Sequence, residues 1–221
     1  MTRVSFDQQL TEIQEETLLM AGLVESAIDR SVRALKERDI ELARLVIHDD
    51  LKINAKRYDA EEKCLELIAT QQPLARDLRT IVSVLHITVD LERMGDHAEG
   101  IAKVALMGSD EAPLRPLADI PRMAQLANKM LMGSIEAFKD RDAKRARAIC
   151  DDDDEVDALY DQVYSELLAI MANDPATLER ATHLTWVAHN LERVADRVTN
   201  ICERVVYLVE GHIRELNVSK Y

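Results

Sequence analysis

Residues 90–97 read Asp-Leu-Glu-Arg-Met-Gly-Asp-His, and residues 190–197 read Asn-Leu-Glu-Arg-Val-Ala-Asp-Arg. The match extends beyond these eight positions. Ser31-Val-x-Ala-Leu-Lys-x-Arg-Asp39 returns as Ser134-Ile-x-Ala-Phe-Lys-x-Arg-Asp142, an offset of 103, whereas Leu91-Glu92-Arg93 returns as Leu191-Glu192-Arg193, an offset of 100. The difference of three fits a shorter connection in the second half. A chain that repeats itself in this way is expected to fold as two similar units, and each unit must contain whatever the repeated acids require.

The breaks between segments define those units. Asp39 and Gln71-Gln72-Pro73 interrupt the first half, and Asp142 and Asn173-Asp174-Pro175 interrupt the second. The densest interruption runs over Gly108–Pro121, with Ser109, Asp110, Pro113 and Pro116 inside it, and reads as the linker. The 221 residues are 47% hydrophobic but only 4% aromatic, with 6 glycines, which favours helices packed through Leu, Ile, Val, Ala and Met over a β-sandwich. The expected fold is all-α: two tandem three-helix bundles, with helices over 4–38, 40–70, 73–107, 117–140, 142–172 and 175–214. The domains are expected at 1–110 and 111–221.

Periodicity sharpens the third helix of each half. Val84, Ile87, Leu91, Met94, Ala98, Ile101 and Ala105 step by 3 and 4, as do Val187, Leu191, Val194, Val198, Ile201, Val205 and Leu208. The second helices carry Val46, Ile53, Ala60, Cys64 and Leu67, matched by Ile149, Val156, Val163, Leu167 and Ile170. The acids lie beside these seams. Glu92 and Asp96, with Glu99, flank the first, and Glu192 and Asp196 flank the second. On the second helices Asp50 and Asn54 are matched by Asp153 and Asp157. Like charges at i and i+4 cost a few tenths of a kcal/mol, roughly, in an isolated helix. Such a cost, repeated at corresponding places, is offset most simply by a cation. Four oxygen-bearing groups per half suit a hard or borderline ion.

Ordinary surface electrostatics explains part of this pattern. Arg93, Arg193 and Arg197 lie within a turn of the acids and can form weak exposed ion pairs. The run Asp151–Glu155 alone reads as a solvated helix start, and His97 and His189 have no histidine counterparts. The net charge of −13 disfavours nucleic acid and anionic membrane surfaces. No stretch has the ~20 uninterrupted apolar residues of a membrane span. The three cysteines lack a Cys-x-x-Cys spacing and read as reduced, mostly buried thiols in a cytoplasmic protein. No Glu-x-x-His occurs, which argues against a ferritin-like oxidase.

The duplicated Leu-Glu-Arg-hydrophobic-small-Asp, the segment Pro73-Leu-Ala-Arg-Asp-Leu-Arg79 before its first copy, and the two three-helix halves resemble the PhoU family from about Phe6 to Leu216. The resemblance implies a cytoplasmic all-α accessory regulator of phosphate-specific transport, held near the inner face of the membrane through its partners. It implies negative regulation of the phosphate-starvation response and restraint of phosphate uptake. The implied partners are the ATPase subunit of the phosphate ABC transporter and a sensor histidine kinase; separately, the length of the helices leaves exposed parts able to pair, so a homodimer is expected. The implied cofactor is one or more divalent or trivalent metal ions (iron, zinc, magnesium or manganese) at Glu92, Asp96, Glu99, Asp50, Asn54, Glu192, Asp196, Asp153 and Asp157. There are departures within the chain. Asn54 stands where its counterpart is an acid, Thr199 is the counterpart of Glu99, and Pro73–Arg79 has no close copy. Two other readings stay open on the residues: a metal-dependent hydrolase or oxidase using the same carboxylates, and a metal-free helical scaffold.

Overall fold

A computed structural model describes residues 3–108, 114–213 and 215–216. Its helices are α1 (Arg3–Glu37), α2 (Ile40–Gln71), α3 (Arg76–Leu106), α4 (Ile120–Asp140), α5 (Ala143–Asn173) and α6 (Leu178–Glu210), with 3-10 turns at Arg115–Ala118 and Pro175–Thr177. No strand occurs among the described residues. The expected all-α fold of two similar three-helix bundles is the observed one.

The first connection of each bundle shows why the halves fold alike. Arg38 and Arg141 adopt left-handed backbone (φ 58° and 55°). The next residues, Asp39 and Asp142, send their N–H groups back to the carbonyls of Ala34 and Ala137 at 3.0 and 2.9 Å. This is the six-to-one closure that ends a helix sharply. The same aspartates then cap the following helix, accepting from Leu42 N–H and Arg145 N–H at 2.9 Å each. One residue thus closes one helix and opens the next, turning the chain back on itself.

Four boundaries differ from expectation by more than one residue. α3 starts at Arg76 rather than at Pro73, because Gln72 (φ 46°) closes α2 and Ala75 (φ 47°) holds the chain out of helix until the next residue. α4 starts at Ile120, after a 3-10 turn, rather than at 117. α6 starts after a 3-10 turn that Asp174 tightens by accepting from Ala176 N–H, and it stops at Gly211 (φ 80°) instead of continuing to 214. The expected linker lies partly outside the described residues, at Ser109, Asp110 and Pro113, as does the expected domain boundary at 110/111. Pro116 is in the 3-10 turn and Pro121 in the first turn of α4.

The predicted seams of α3 and α6 are buried at every position named, and those of α2 and α5 at all but Ile170. Cys64, Cys150 and Cys202 are buried and free. The core runs without a break through both bundles, because α3 packs on α6 and α1 on α4. The contact between α3 and α6 has a local two-fold character. Asp90 Oδ1 accepts from Asn200 Nδ2 at 3.2 Å and lies 3.5 Å from Arg197 Nη1. His97 Nδ1 meets Asn190 Oδ1 at 2.8 Å. Positions 90 and 190 correspond, as do 97 and 197, so these are one contact seen from each half. At the α1–α4 contact, Asn128 Nδ2 donates to Asp29 Oδ1 at 2.8 Å and to the carbonyl of Glu25, its own counterpart at the offset of 103.

Candidate functional site: two acidic helix faces

Each bundle brings its second and third helices together along an acidic line. In the first half Asp50 of α2 is only 8% exposed. Its carboxyl is pushed up to about 6, chiefly by burial and then by the charges of Asp96, Glu99 and Glu92 on α3, against the lowering effect of Asn54. Asn54 Nδ2 donates to Asp50 Oδ2 at 2.8 Å. The other oxygen, Asp50 Oδ1, is buried with no hydrogen-bond donor among the described residues, and so is Asn54 Oδ1. Of the five residues expected here, Asn54 bonds to Asp50, and Glu92, Asp96 and Glu99 act on it through their charge.

The second half repeats the arrangement. Asp153 of α5 is 1% exposed. Its carboxyl is pushed up to about 7 by burial first, then by Asp157, Asp196, Glu192 and Asp154. Glu192 is likewise pushed up to about 7, by burial and Asp196, against the pull of Arg193. The four expected residues, Asp153, Asp157, Glu192 and Asp196, share one field, and Asp154 adds to it. In each half burial raises the innermost carboxyls, Asp50 in the first and Asp153 and Glu192 in the second, and the like charges beside them raise them further.

Basic side chains lie over both faces. Arg93 Nη1 is 3.2 Å from Asp96 Oδ2 and its Nε 3.4 Å from Glu92 Oε2. Arg193 Nη1 is 2.9 Å from Asp196 Oδ2, and His189 Nδ1 is 3.5 Å from Glu192 Oε2. Lys103 pairs with Glu99. These pairs are partly exposed and contribute little to stability. Arg197 behaves differently: it crosses to Asp90 of the other bundle.

The donor set suits a metal ion in chemistry, with oxygens from several carboxylates, the buried Asp50 Oδ1 and Asn54 Oδ1 of the first half undonated among the described residues, and raised carboxyls that a cation would lower again. The set is not a closed cage. Among the described residues, no group of three or more His, Cys, Asp or Glu side chains stands in position to hold an ion. Capture would require the Arg93 and Arg193 side chains to swing aside, which exposed, rotamer-rich side chains do cheaply.

Two contributors lacked a ligand signature in the sequence. Gly95 sits on α3 where an added Cβ would lie 3.0 Å from Asp50 Oδ1 and 3.1 Å from Ile53 Cδ1, so its missing side chain lets α2 close on α3 at the acids. Asp90, 8% exposed, and its partners tie the α3 face to α6. Glycine within a helix, at a cost of about 0.5–1 kcal/mol against alanine, was the available signal for Gly95.

Comparison with known proteins bears on the whole chain. The PhoU domain matches twice, at residues 17–105 and 120–205. The chain is 40% identical to the phosphate-specific transport system accessory protein PhoU homolog of Aquifex aeolicus, covering 93% of each. It is 37% identical to the protein of the same description from Clostridium acetobutylicum, over 98% of this chain and 100% of that relative. The crystal structure of the phosphate transport system regulatory protein PhoU from Streptococcus pneumoniae superposes with a TM-score of 0.89 at 32% identity, covering 95% of this chain and 99% of that one. PhoU from Pseudomonas aeruginosa also gives 0.89, at 34% identity, covering 94% and 100%.

Proposed function

The chain belongs to the PhoU family, and we propose that it works as a non-enzymatic accessory regulator of a phosphate-specific transport system. The observation that carries this reading is the pairing of near full-length similarity to accessory proteins with two desolvated acidic faces in the corresponding bundles.

In this reading the protein restrains phosphate uptake and the phosphate-starvation response when phosphate is plentiful. It acts on the cytoplasmic side of the membrane as an adaptor between the ATPase subunit of the phosphate ABC transporter and a sensor histidine kinase, as a homodimer. Among the described residues no helix is long and apolar enough to cross a membrane, so contact with the transporter is peripheral in this scheme.

Asp50, Asn54, Glu92, Asp96 and Glu99 would hold metal in the first half, and Asp153, Asp157, Glu192 and Asp196 in the second. A bound iron, zinc, magnesium or manganese ion would supply positive charge that neutralises the mutually repelling acids. The chain's own contribution is positional. α2 and α3, and α5 and α6, hold the carboxylates on two fixed faces, and their buried members keep a proton to higher pH than exposed acids do unless a cation takes its place. Partner recognition then depends on whether those faces are loaded.

Elemental analysis of full-length protein purified without chelator tests the metal component, with Glu92→Ala/Asp96→Ala and Glu192→Ala/Asp196→Ala alongside. Metal that falls stepwise in the two variants is the expected result. Retention of the transporter ATPase on immobilised protein, and its loss on charge reversal at Glu92 and Asp96 in a still-folded variant, tests the adaptor component. A metal-free wild type, even after addition of Mn²⁺, Fe or Zn²⁺, sinks the metal component, and failure to retain the ATPase sinks the adaptor component.

A further inference from the structure

The segment Pro73–Arg79 has no close copy in the second half, so the duplicated acidic faces do not account for it. It ends in the first turn of α3, where Arg76 and Arg79 lie three residues apart on one face. A third arginine reaches the same place from the turn between α4 and α5. Arg141 Nη2 donates to Thr80 Oγ1 at 3.0 Å, and Thr80 Oγ1 donates to the Arg76 carbonyl at 3.0 Å. This relay fixes Arg141 against the first turn of α3. Burial lowers the Arg141 guanidinium first, and Arg76 and Arg79 lower it further, while the acid Asp77 opposes them.

The cluster is short of counter-charge. Among the described residues Arg76 and Arg79 make no ion pair, and Arg79 Nε is buried without a hydrogen-bond acceptor. Most arginines elsewhere are matched, as Arg30 is to Asp49, Arg122 to Glu155 and Arg147 to both oxygens of Glu210. In a chain with 41 Asp and Glu against 28 Lys and Arg, three neighbouring arginines with Asp77 as the one acid acting on Arg141 are the opposite of what random placement favours. The Arg79 guanidinium is also held in place from a third side: it lies against Gly211 at the end of α6, where an added Cβ would be 3.6 Å from Nη1. The group is therefore preorganised by α3, the α4–α5 turn and the end of α6.

We propose that Arg76, Arg79 and Arg141 form an oxyanion site that takes a tetrahedral phosphate group, as free inorganic phosphate or as a small phosphate monoester. Guanidinium forks match phosphate oxygens two at a time, and such charge-assisted bonds are about twice as strong as neutral ones. Arg76 is exposed and Arg79 and Arg141 are half-buried, so all three present some surface to solvent. The site is separate from the acidic faces and stands whether or not those faces bind metal.

The test is phosphate binding to chelator-treated full-length protein by isothermal titration calorimetry, at ionic strength held constant with chloride. The ligands are inorganic phosphate and phosphoserine. Arg76→Gln and Arg141→Gln, each checked for an unchanged helical spectrum, should bind about tenfold more weakly or worse, the loss expected for one charge-assisted pair. Glu92→Ala/Asp96→Ala should bind as the wild type does, which separates this site from the metal reading. Binding of inorganic phosphate alone identifies the free ion as ligand, and equal binding of phosphoserine identifies a site open at one side; both support the proposal. No binding of either ligand, or equal binding by the wild type and both arginine variants, overturns it. Arg79→Lys keeps the charge but not the fork, and wild-type affinity in that variant would overturn the role of Arg79.

Discussion

Gly95 of α3 faces Asp50 of α2 so closely that a Cβ at residue 95 would lie 3.0 Å from the carboxylate oxygen Oδ1, the one that receives no hydrogen bond among the described residues. The corresponding residues of the second half are Ala195 and Asp153. There the neighbouring core residue is Val156, where the first half has Ile53. A methyl group present on the third helix in one half is thus balanced by one on the second helix in the other.

Gly95→Ala should therefore destabilise the protein by about 1 kcal/mol. The overpacking cost of about 1–3 kcal/mol outweighs the gain of up to about 1 kcal/mol in helix propensity. Ile53→Val in the same chain removes the Cδ1 atom 3.1 Å away and should recover most of the loss. Denaturant titration of the two single variants and the double variant decides it. Additive losses, with no recovery in the double variant, would show that the two positions do not share one space.

The raised carboxyls make a prediction about pH. Asp50 at about 6 and Asp153 and Glu192 at about 7 hold protons in the folded state that the unfolded chain, near 3.8 for Asp and 4.5 for Glu, has already released. The folded state binds more protons across that window, so stability falls as pH rises through it. The metal-free protein should melt at a higher temperature near pH 5 than near pH 8 as far as these groups contribute, and Asp153→Asn should flatten the slope. Thermal melts in chelator across that range measure it; an unchanged slope in Asp153→Asn would mean that this carboxyl is not held protonated by its surroundings.

Asn54 makes the two faces unequal. Its amide donates to Asp50 Oδ2 and lowers that carboxyl, while Asp157 at the corresponding position raises Asp153. Asn54→Asp exchanges a donor for a fourth negative charge around Asp50. It should destabilise the metal-free protein by about 1 kcal/mol, and it should strengthen Mn²⁺ binding in the first half. Calorimetric titration with Mn²⁺ beside a chelated melt reads both effects. A variant that loses stability without gaining Mn²⁺ affinity would argue that the first face does not coordinate metal.

Much of this was legible in the residue order, and for identifiable reasons. The seams Val84–Ala105 and Val187–Leu208 follow helical periodicity, and every position named in them is buried. Asp39 and Asp142 mark helix starts because an aspartate side chain is a strong acceptor for first-turn N–H groups. The four-spaced acids could be placed on facing helices because each pair runs beside a seam: Glu92, Asn54, Asp157 and Glu192 follow a seam residue directly, and their partners lie one turn away. Periodicity identifies which face a helix buries but not which helix covers it, so the packing of α3 on α6 was not legible. His97 then looked unremarkable beside Arg197, because neither was read as half of a contact across the bundles. The late start of α3 was hidden as well: Gln72 and Ala75 adopt positive φ without being glycine or asparagine.

The contact across the bundles supports a last prediction. Asp90 with Arg197, and Asn190 with His97, occupy corresponding positions, but the first pair is charged and the second is neutral or weakly so. Asp90→Ala should cost about 2 kcal/mol, because it strips a buried acceptor from Arg197 and Asn200, whereas Asn190→Ala should cost about 1 kcal/mol. If the two contacts are one geometry used twice, the charged pair can be moved. His97→Arg/Asn190→Asp places an arginine and a carboxylate where the second contact now has an imidazole and an amide. The double variant should be more stable than the sum of the two single changes predicts, by about 1 kcal/mol of favourable coupling. The same cycle between His97→Arg and Asp90→Asn, which do not share a contact, should show none. Denaturant melts of the two cycles measure the couplings. A zero coupling at 97 and 190 would limit the two-fold relation to the backbone and leave the side-chain pairing of each half its own.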